Sequence, residues 1–98
     1  MSNFSEIISK NKLVLVDFYA EWCGPCKTMH PILKEVKDAL GDEISVIKIN
    51  IDKNQSLTEK YRVKGVPTFM LYKNGVQVWR QSGIVQKNEL IMLIKSHN

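Results

Sequence analysis

The sequence is poor in cysteine, and this shortage narrows the chemistry that the chain can perform. The two cysteines, Cys23 and Cys26, stand three residues apart. A bridge across so short a loop restricts the unfolded chain little, which argues against a purely structural disulfide. The sequence also lacks an apolar run near the roughly 18 residues that a membrane-spanning helix needs. Residues 1–6 have neither the basic nor the apolar segment of a secretory signal peptide, so we expect a cytoplasmic protein that does not bind membranes.

The sequence has no segment in which charged residues of one sign are clustered. The net charge is +4, and the lysines are scattered rather than gathered into a basic run with interleaved aromatic residues. We therefore predict no nucleic-acid binding. Ninety-eight residues are enough for one hydrophobic core, so we predict a single domain over residues 1–98. Nothing in the sequence predicts an obligate dimer, and we expect a monomer.

What the sequence does contain is a pair of thiols at a strand-to-helix junction. The apolar run 13–19 precedes Trp22-Cys23-Gly24-Pro25-Cys26, and a helical pattern follows. Residues three apart lie on one face of a helix, which places the two Cα atoms at the roughly 5–6 Å that a disulfide requires. Cys23 then stands at the helix N-terminus, where free N–H groups stabilise a thiolate, while Cys26 lies one turn deeper. This asymmetry suits a nucleophilic thiol and a resolving thiol in disulfide exchange.

A metal site is the main rival interpretation of the two cysteines. Tetrahedral zinc needs four ligands, and the other candidates are His30 and His97. Haem attachment needs a histidine directly after the second cysteine, where this chain has Lys27. We therefore favour redox chemistry and predict no metal. His30 is expected to be a solvent-facing helix residue.

The remaining pattern predicts alternating strands and helices. A strand, a long helix and a second strand predict a parallel pair, and Asn74-Gly75 between two β-rich runs predicts an antiparallel hairpin. Asn3 or Ser2 is expected to cap the first helix and Asn54 the third, and Pro31 should bend the second. The predicted strands are 13–19, 44–51, 66–72 and 76–81, and the predicted helices are 3–10, 25–40, 54–61 and 86–95.

The segment from Asp17 to Lys27 resembles the active-site segment of thioredoxins, and the resemblance covers nearly the whole chain. It implies an α/β thioredoxin fold, in which a central mixed sheet of four strands is flanked by four helices. The implied strand order is 44–51, 13–19, 66–72, 76–81. Typical members begin with an edge strand before their first helix, whereas this chain begins at that helix, so we expect 44–51 to be an exposed edge.

Asp17 and Lys48 are the charged residues to which the resemblance gives a role. A carboxylate in a buried strand needs a partner or remains protonated, unless it lies at the strand end and turns to solvent. The resemblance implies that Asp17 is buried and takes the proton of Cys26 as Cys26 attacks. Lys48, taken alone, is better explained as an edge-strand charge that discourages further pairing. The resemblance implies that it pairs with Asp17.

The resemblance also implies a cis peptide bond before Pro67 and a flat apolar surface that binds client proteins. Without it, Trp22 would be a core residue and the glycines turn formers. The residues that it assigns to client binding are Trp22, Gly24, Pro25, Gly65, Val66, Pro67, Gly83 and Ile84.

Taken together, the motif and the resemblance predict a general protein dithiol–disulfide oxidoreductase that reduces disulfides in client proteins. The resemblance implies re-reduction by a flavin-dependent thioredoxin reductase using NADPH, so that the chain needs no bound cofactor. Gly24-Pro25 between the cysteines favours a reductant by resemblance. Two alternatives stay open: a thiol oxidant or isomerase on the same fold, and a non-catalytic peptide-binding module.

Overall fold

The computed structural model describes residues 3–98. It has a central β-sheet with helices on both faces. Every predicted element is present, with ends that differ by at most two residues. Strand β3 begins at Thr68 rather than 66, after Pro67, which has no N–H to donate to a strand partner. The elements are α1 (Phe4–Ile8), β1 (Leu13–Tyr19), α2 (Gly24–Leu40), a 3₁₀ turn (Gly41–Glu43), β2 (Ser45–Asn50), α3 (Gln55–Lys60), β3 (Thr68–Lys73), β4 (Val76–Ser82) and α4 (Lys87–Ser96).

The sheet has the predicted strand order, β2-β1-β3-β4. Strand β1 pairs in parallel with β2 and antiparallel with β3, and β3 pairs antiparallel with β4. Within residues 3–98 no strand precedes α1, so β2 is an edge of the sheet. Asn74 and Gly75 have φ angles of 51° and 82°, the left-handed conformation that a two-residue hairpin turn of this type requires. The predicted hairpin is therefore confirmed.

Side-chain alternation along β1 divides the core into two layers. We call the layer between the sheet and α2 and α4 the α2–α4 face; it includes Leu13, Leu15, Met29, Leu33, Phe69, Leu71, Leu90 and Ile94. We call the opposite layer the α1–α3 face; it includes Ile8, Val14, Val16, Phe18, Ile49, Met70 and Tyr72. No helix within residues 3–98 is long and apolar enough to cross a membrane.

The helix caps match the predictions in part. The side chain of Asn3 accepts a hydrogen bond from the N–H of Glu6 at 2.9 Å, while Ser2 lies outside the described residues. Asn54 occupies the cap position of α3, but its side chain makes no capping bond and instead donates to the Asn50 carbonyl at 2.9 Å. The prediction for Asn54 was therefore right in position and wrong in mechanism. Pro31 lies within α2, and the bend expected there stays a prediction.

Candidate active site

The two cysteines lie beyond the carboxyl ends of β1 and β2, at the start of α2. Cys23, Cys26 and Ala20 form a small buried cluster, against which Tyr19, Ile51 and Val66 pack. Because β1 and β2 are parallel, their carboxyl ends meet at the same edge of the sheet. The helix that follows β1 therefore presents its N-terminus to residues from the β2–α3 and α3–β3 connections.

The sulfur geometry agrees with the prediction from sequence spacing. Cys23 and Cys26 form a disulfide with a Cα–Cα distance of 5.3 Å. Cys23 is the N-cap of α2, and its Sγ accepts a hydrogen bond from the backbone N–H of Cys26 at 3.2 Å. Cys26 is fully buried, whereas Cys23 retains a small exposed fraction of 4%. Of the two cysteines, Cys23 is therefore the more accessible to a second protein.

The loop before β3 approaches Cys23 from the other side. The carbonyl oxygen of Val66 lies 3.6 Å from Cys23 Sγ, and the Val66–Pro67 peptide bond is cis. The N–H of Gly83 donates to the Pro67 carbonyl at 2.9 Å, which joins the end of β4 to this loop. The start of α2, the loop before β3 and the end of β4 are therefore joined at one edge of the sheet.

Two large apolar side chains at this edge are exposed. Trp22 is 69% exposed and Ile84 is 51% exposed, so Trp22 is not a core residue. Gly24, Pro25 and Gly65 are also exposed. The indole Nε1–H of Trp22 donates to the carboxylate of Asp52 at 2.9 Å. Asp52 was not among the predicted site residues, although it stands just after β2, beside the residues that follow β1.

The α3–β3 loop is anchored by side chains that the sequence analysis did not identify. The hydroxyl of buried Thr68 donates to the Gly65 carbonyl at 2.6 Å and lies 2.8 Å from the hydroxyl of Ser82. Arg80 on β4 donates to the carbonyls of Tyr61 and Arg62 at 2.6 and 2.9 Å. Arg62 has a φ of 53°, a left-handed conformation that is uncommon for a long side chain. These bonds hold the loop that carries Val66 and Pro67.

Asp17 is a buried acid in the middle of the sheet. It is 0% exposed, it lies on the α2–α4 side of β1, and neither carboxylate oxygen has a hydrogen-bond partner among the described residues. Burial raises the pKa of Asp17 from 3.8 to about 7, and the positive charge of Lys48 opposes part of that rise. The alternative that Asp17 turns to solvent is therefore wrong. Near neutral pH this carboxyl group can both take up and release a proton.

Lys48 stands beside Asp17 in the sheet, but the two do not form the expected ion pair. The residues are register partners on β1 and β2, yet the ion pairs within residues 3–98 do not include them. Lys48 is exposed, which is the usual outcome for a lysine at a sheet edge that can extend its ammonium group into water. The expected contact was wrong, whereas its expected effect on the pKa of Asp17 is confirmed in direction.

His30 is the second correction on this face. It is half-buried rather than solvent-facing, and its ring packs edge-on against Tyr19 with centroids 5.5 Å apart. Its Nε2 atom is buried and has no hydrogen-bond partner among the described residues. Burial lowers the pKa of His30, and the charge of Lys48 lowers it further. No group of three or more His, Cys, Asp or Glu residues within 3–98 is placed to hold a metal ion.

Comparison with known proteins gives one family for nearly the whole chain. Residues 1–96 match the sequence profile of the family described as Thioredoxin. The chain is 48% identical over 96 residues to a chloroplastic thioredoxin Y of Oryza sativa subsp. japonica, covering 97% of this chain and 57% of the rice protein. It is 44% identical over 87 residues to a thioredoxin of Rickettsia prowazekii, covering 89% of this chain and 83% of the other.

A solved structure gives the same result for the fold. A mutant thioredoxin from Halobacterium salinarum NRC-1 superposes with a TM-score of 0.88 at 38% identity, covering 99% of this chain and 84% of the other. The predicted four-stranded α/β fold is therefore confirmed. The chain spans little more than half the length of its rice relative.

Proposed function

Since the chain belongs to the thioredoxin family, whose members are disulfide oxidoreductases, we propose that it reduces disulfides in client proteins through Cys23 and Cys26. The observation that carries this proposal is the sulfur of Cys23 at the N-terminus of α2, bonded to the Cys26 N–H and 3.6 Å from the Val66 carbonyl. We further propose that residues 1–98 act as one domain and that the domain works as a monomer.

The first step is attack by the Cys23 thiolate on a client disulfide. A bond forms between Cys23 Sγ and one client sulfur, the client S–S bond breaks, and the other client sulfur leaves as a thiolate. The N–H group at the helix N-terminus and the helix dipole stabilise the attacking anion. We assign Cys23 as the nucleophile because it is the less buried of the two cysteines.

The second step closes the Cys23–Cys26 bridge. The thiol proton of Cys26 passes to the carboxylate of Asp17, and the resulting Cys26 thiolate attacks Cys23 Sγ. The mixed disulfide breaks, and the second client sulfur leaves as a thiolate, so two electrons have moved to the client. A buried acid with a pKa of about 7 supports this role because it is partly ionised at neutral pH.

Lys48 acts in this scheme through its charge. It lowers the pKa of Asp17 without contact, and it thereby keeps a larger fraction of the acid ionised at neutral pH. Lys48→Met should raise the pKa of Asp17 further and shift the pH profile of the second step to higher pH. A titration of Asp17 by NMR in both proteins checks this, and an unchanged profile would remove Lys48 from the mechanism.

The client lies across the exposed apolar edge in this proposal. Trp22 and Ile84 offer apolar contact, and Gly24, Pro25, Gly65 and Gly83 leave room for a second backbone. The extended chain of the client pairs with the backbone at Val66 and Pro67, close to Cys23 Sγ. The Trp22–Asp52 hydrogen bond fixes the indole ring at this edge.

Electrons return to the disulfide from a partner. We propose a flavin-dependent thioredoxin reductase that uses NADPH, so that the chain itself needs no cofactor. We also propose a reducing compartment such as the cytoplasm. The relatives do not share one compartment, since one is named as chloroplastic and another comes from a bacterium.

Reduction of insulin disulfides tests the proposal directly. The wild-type chain should catalyse insulin reduction with dithiothreitol as electron source, and Cys23→Ser should be inactive. His97→Gln is a matched control that leaves the site unchanged. Equal behaviour of wild type and Cys23→Ser would favour the non-catalytic peptide-binding module. A redox titration of the Cys23–Cys26 couple separates a reductant from an oxidant or isomerase, which needs a higher potential.

A further inference from the structure

One buried nitrogen near the reacting sulfurs has no place in the mechanism above. The Nε2 atom of His30 is buried and has no hydrogen-bond partner within residues 3–98, although the residue as a whole is only half-buried. Buried polar atoms in native proteins almost always have a partner, and exceptions are concentrated where groups exchange protons or bind water. The ring therefore has one nitrogen turned inward while part of the side chain meets solvent.

The inward nitrogen lies on the same layer as the buried acid. His30 is four residues after Cys26 on α2, so both side chains project from one side of the helix. Tyr19 is two residues after Asp17 on β1, so both project to the same side of the sheet. The His30 ring packs on Tyr19, and Tyr19 packs on the cysteine cluster.

Strands β1 and β2 and helix α2 contribute the titratable groups on this layer. Strand β1 contributes Asp17 and Tyr19, β2 contributes Lys48, and α2 contributes Cys26 and His30. Strand β3 adds the apolar side chains of Phe69 and Leu71 on this side. Lys48 as an ammonium ion has no lone pair to accept a proton, and a phenol is a weak base. The neutral imidazole is the remaining proton acceptor.

Exchange of the Asp17 proton with solvent needs such an acceptor, because the carboxyl group is 0% exposed. Asp17 gains a proton from Cys26 in each client reduction, and near pH 7, which is close to its pKa, part of these protons pass to solvent before re-reduction returns a proton to Cys26. We propose that His30, acting through Asp17, carries this proton between the buried acid and solvent, an inference that rests on the proposed function. His30 contacts neither client nor sulfur in this account, so it is a positioning residue for proton transfer.

The protons balance over the two halves of the cycle. During client reduction the proton of Asp17 moves to Nε2 of His30, directly or through water, and Nδ1–H gives a proton to solvent. During re-reduction of the disulfide, Nε2–H returns its proton toward Asp17 and Cys26, and Nδ1 takes one from solvent. The two tautomers therefore alternate, and neither half-cycle leaves a net charge on the ring.

The electrostatic environment is consistent with this role. Burial lowers the pKa of His30 and the Lys48 charge lowers it further, so the ring is neutral and has a free lone pair at neutral pH. Burial also places the pKa of Asp17 at about 7. A neutral imidazole can accept a proton from an acid that titrates near the working pH.

A stopped-flow experiment in weak buffer at pH 7 separates the steps. The fully reduced protein is mixed with an asymmetric disulfide whose first leaving thiol is coloured. Both of its thiols have pKa values well below 7, so that neither leaving thiolate takes up a proton and a pH indicator dye follows proton release from the protein. His30→Gln keeps a polar side chain of similar length but cannot relay a proton. His97→Gln is the matched control, since it changes the other histidine at the end of α4.

We expect His30→Gln to release the first thiol at the wild-type rate and to release the proton about 10-fold more slowly. This is less than the ~10²–10⁴-fold effect of removing a direct acid or base, because water offers a slower route. Added imidazole should restore the rate. His30→Gln should cause no further slowing in an Asp17→Asn background, because both substitutions block one path.

Several results would overturn the inference. One is proton release at the wild-type rate in His30→Gln. Another is a His30→Gln protein in which release of the first thiol slows as much as release of the proton. A third is that His30→Gln slows proton release equally in the wild-type and Asp17→Asn backgrounds. Failure of the wild-type protein to react with the disulfide would instead refute the proposed function. Thermal unfolding of each variant identifies any loss of folded protein before the kinetics are compared.

Discussion

The two faces of strand β1 are equally buried and differ sharply in chemistry. On the α1–α3 face, Val14, Val16 and Phe18 are all 0% exposed and all apolar. On the α2–α4 face, Leu13 and Leu15 are followed by Asp17, which is also 0% exposed. Because side chains alternate along a strand, one seven-residue segment can serve stability on one side and chemistry on the other.

The contrast extends to the residues that pack on each face. Phe4 on α1 covers the α1–α3 face with an aromatic cluster, with ring centroids 4.8 Å from Tyr61 and 5.8 Å from Tyr72. Among the described residues, the buried side-chain polar atoms without a partner belong to Asp17 and His30, both on the side of α2. Within residues 3–98, buried side-chain polar atoms without a partner therefore occur only on the side of the sheet that carries α2.

Truncation on the apolar face should have the largest effect on stability. Phe18→Ala removes a fully buried ring and should lower the free energy of unfolding by about 3–5 kcal/mol at every pH. Urea unfolding followed by circular dichroism measures this. Insulin reduction per folded molecule should remain near wild type. A loss below about 1 kcal/mol would contradict the tight packing inferred for this face.

Replacing the buried acid Asp17 by a neutral side chain should raise the free energy of unfolding, and the gain should be largest above pH 7. The pKa of Asp17 is about 7 in the folded chain against 3.8 as the reference value. The folded state therefore holds the extra proton between these two pH values, so wild-type stability falls as pH rises from about 4 to about 7. The total loss is up to about 4 kcal/mol, from about 1.4 kcal/mol for each pKa unit.

Asp17→Asn should remove this slope and be more stable than wild type at pH 8 but not at pH 4. The gain at pH 8 should be somewhat less than the full amount, because a buried amide without a partner also carries a desolvation cost. Unfolding curves at the two pH values measure the difference. If the free energy of unfolding depended on pH in the same way in both proteins, burial would not raise the pKa of Asp17.

A substitution in the α3–β3 loop should give a smaller gain. Arg62 holds a φ of 53°, which costs an L-residue roughly 1–2 kcal/mol. Arg62→Gly removes that cost and retains the carbonyl that accepts from Arg80, so we expect a gain of about 1 kcal/mol after the added flexibility of glycine. Asn74→Gly, at φ 51°, is the matched control and should gain less, since asparagine tolerates this conformation.

A net loss of stability in Arg62→Gly would contradict this account of the loop. It would mean that the Arg62 side chain contributes more than its backbone costs. Differential scanning calorimetry at pH 7 resolves a change of this size, since about 1 kcal/mol moves the Tm of a domain this small by roughly 4–8 °C.

The sequence was most informative where local geometry is dictated by residue type. The spacing of Cys23 and Cys26 predicted their separation, and Asn74-Gly75 predicted the hairpin. In both cases a rule of a few residues decides the structure, and no distant contact competes with it. The burial of Asp17 was implied by the resemblance, because the apolar run alone left open a side chain turned to solvent.

Features that depend on tertiary packing were missed. The sequence cannot show that Lys48 extends into solvent instead of meeting Asp17, because a long side chain has many rotamers. His30 was placed in solvent because helix periodicity alone did not reveal that Tyr19 would cover it. The left-handed Arg62 has no local signal at all, since Arg80 from another strand holds its carbonyl.

Covalent trapping tests the central claim most directly. With Cys26→Ser, attack by Cys23 can proceed but the bridge cannot close, so a mixed disulfide with a client peptide should accumulate and be visible by intact mass spectrometry. Cys23→Ser should trap none, because the remaining sulfur is fully buried. Accumulation at Cys26 in the Cys23→Ser protein, or at neither cysteine, would contradict the assignment of Cys23 as nucleophile and Cys26 as resolving thiol.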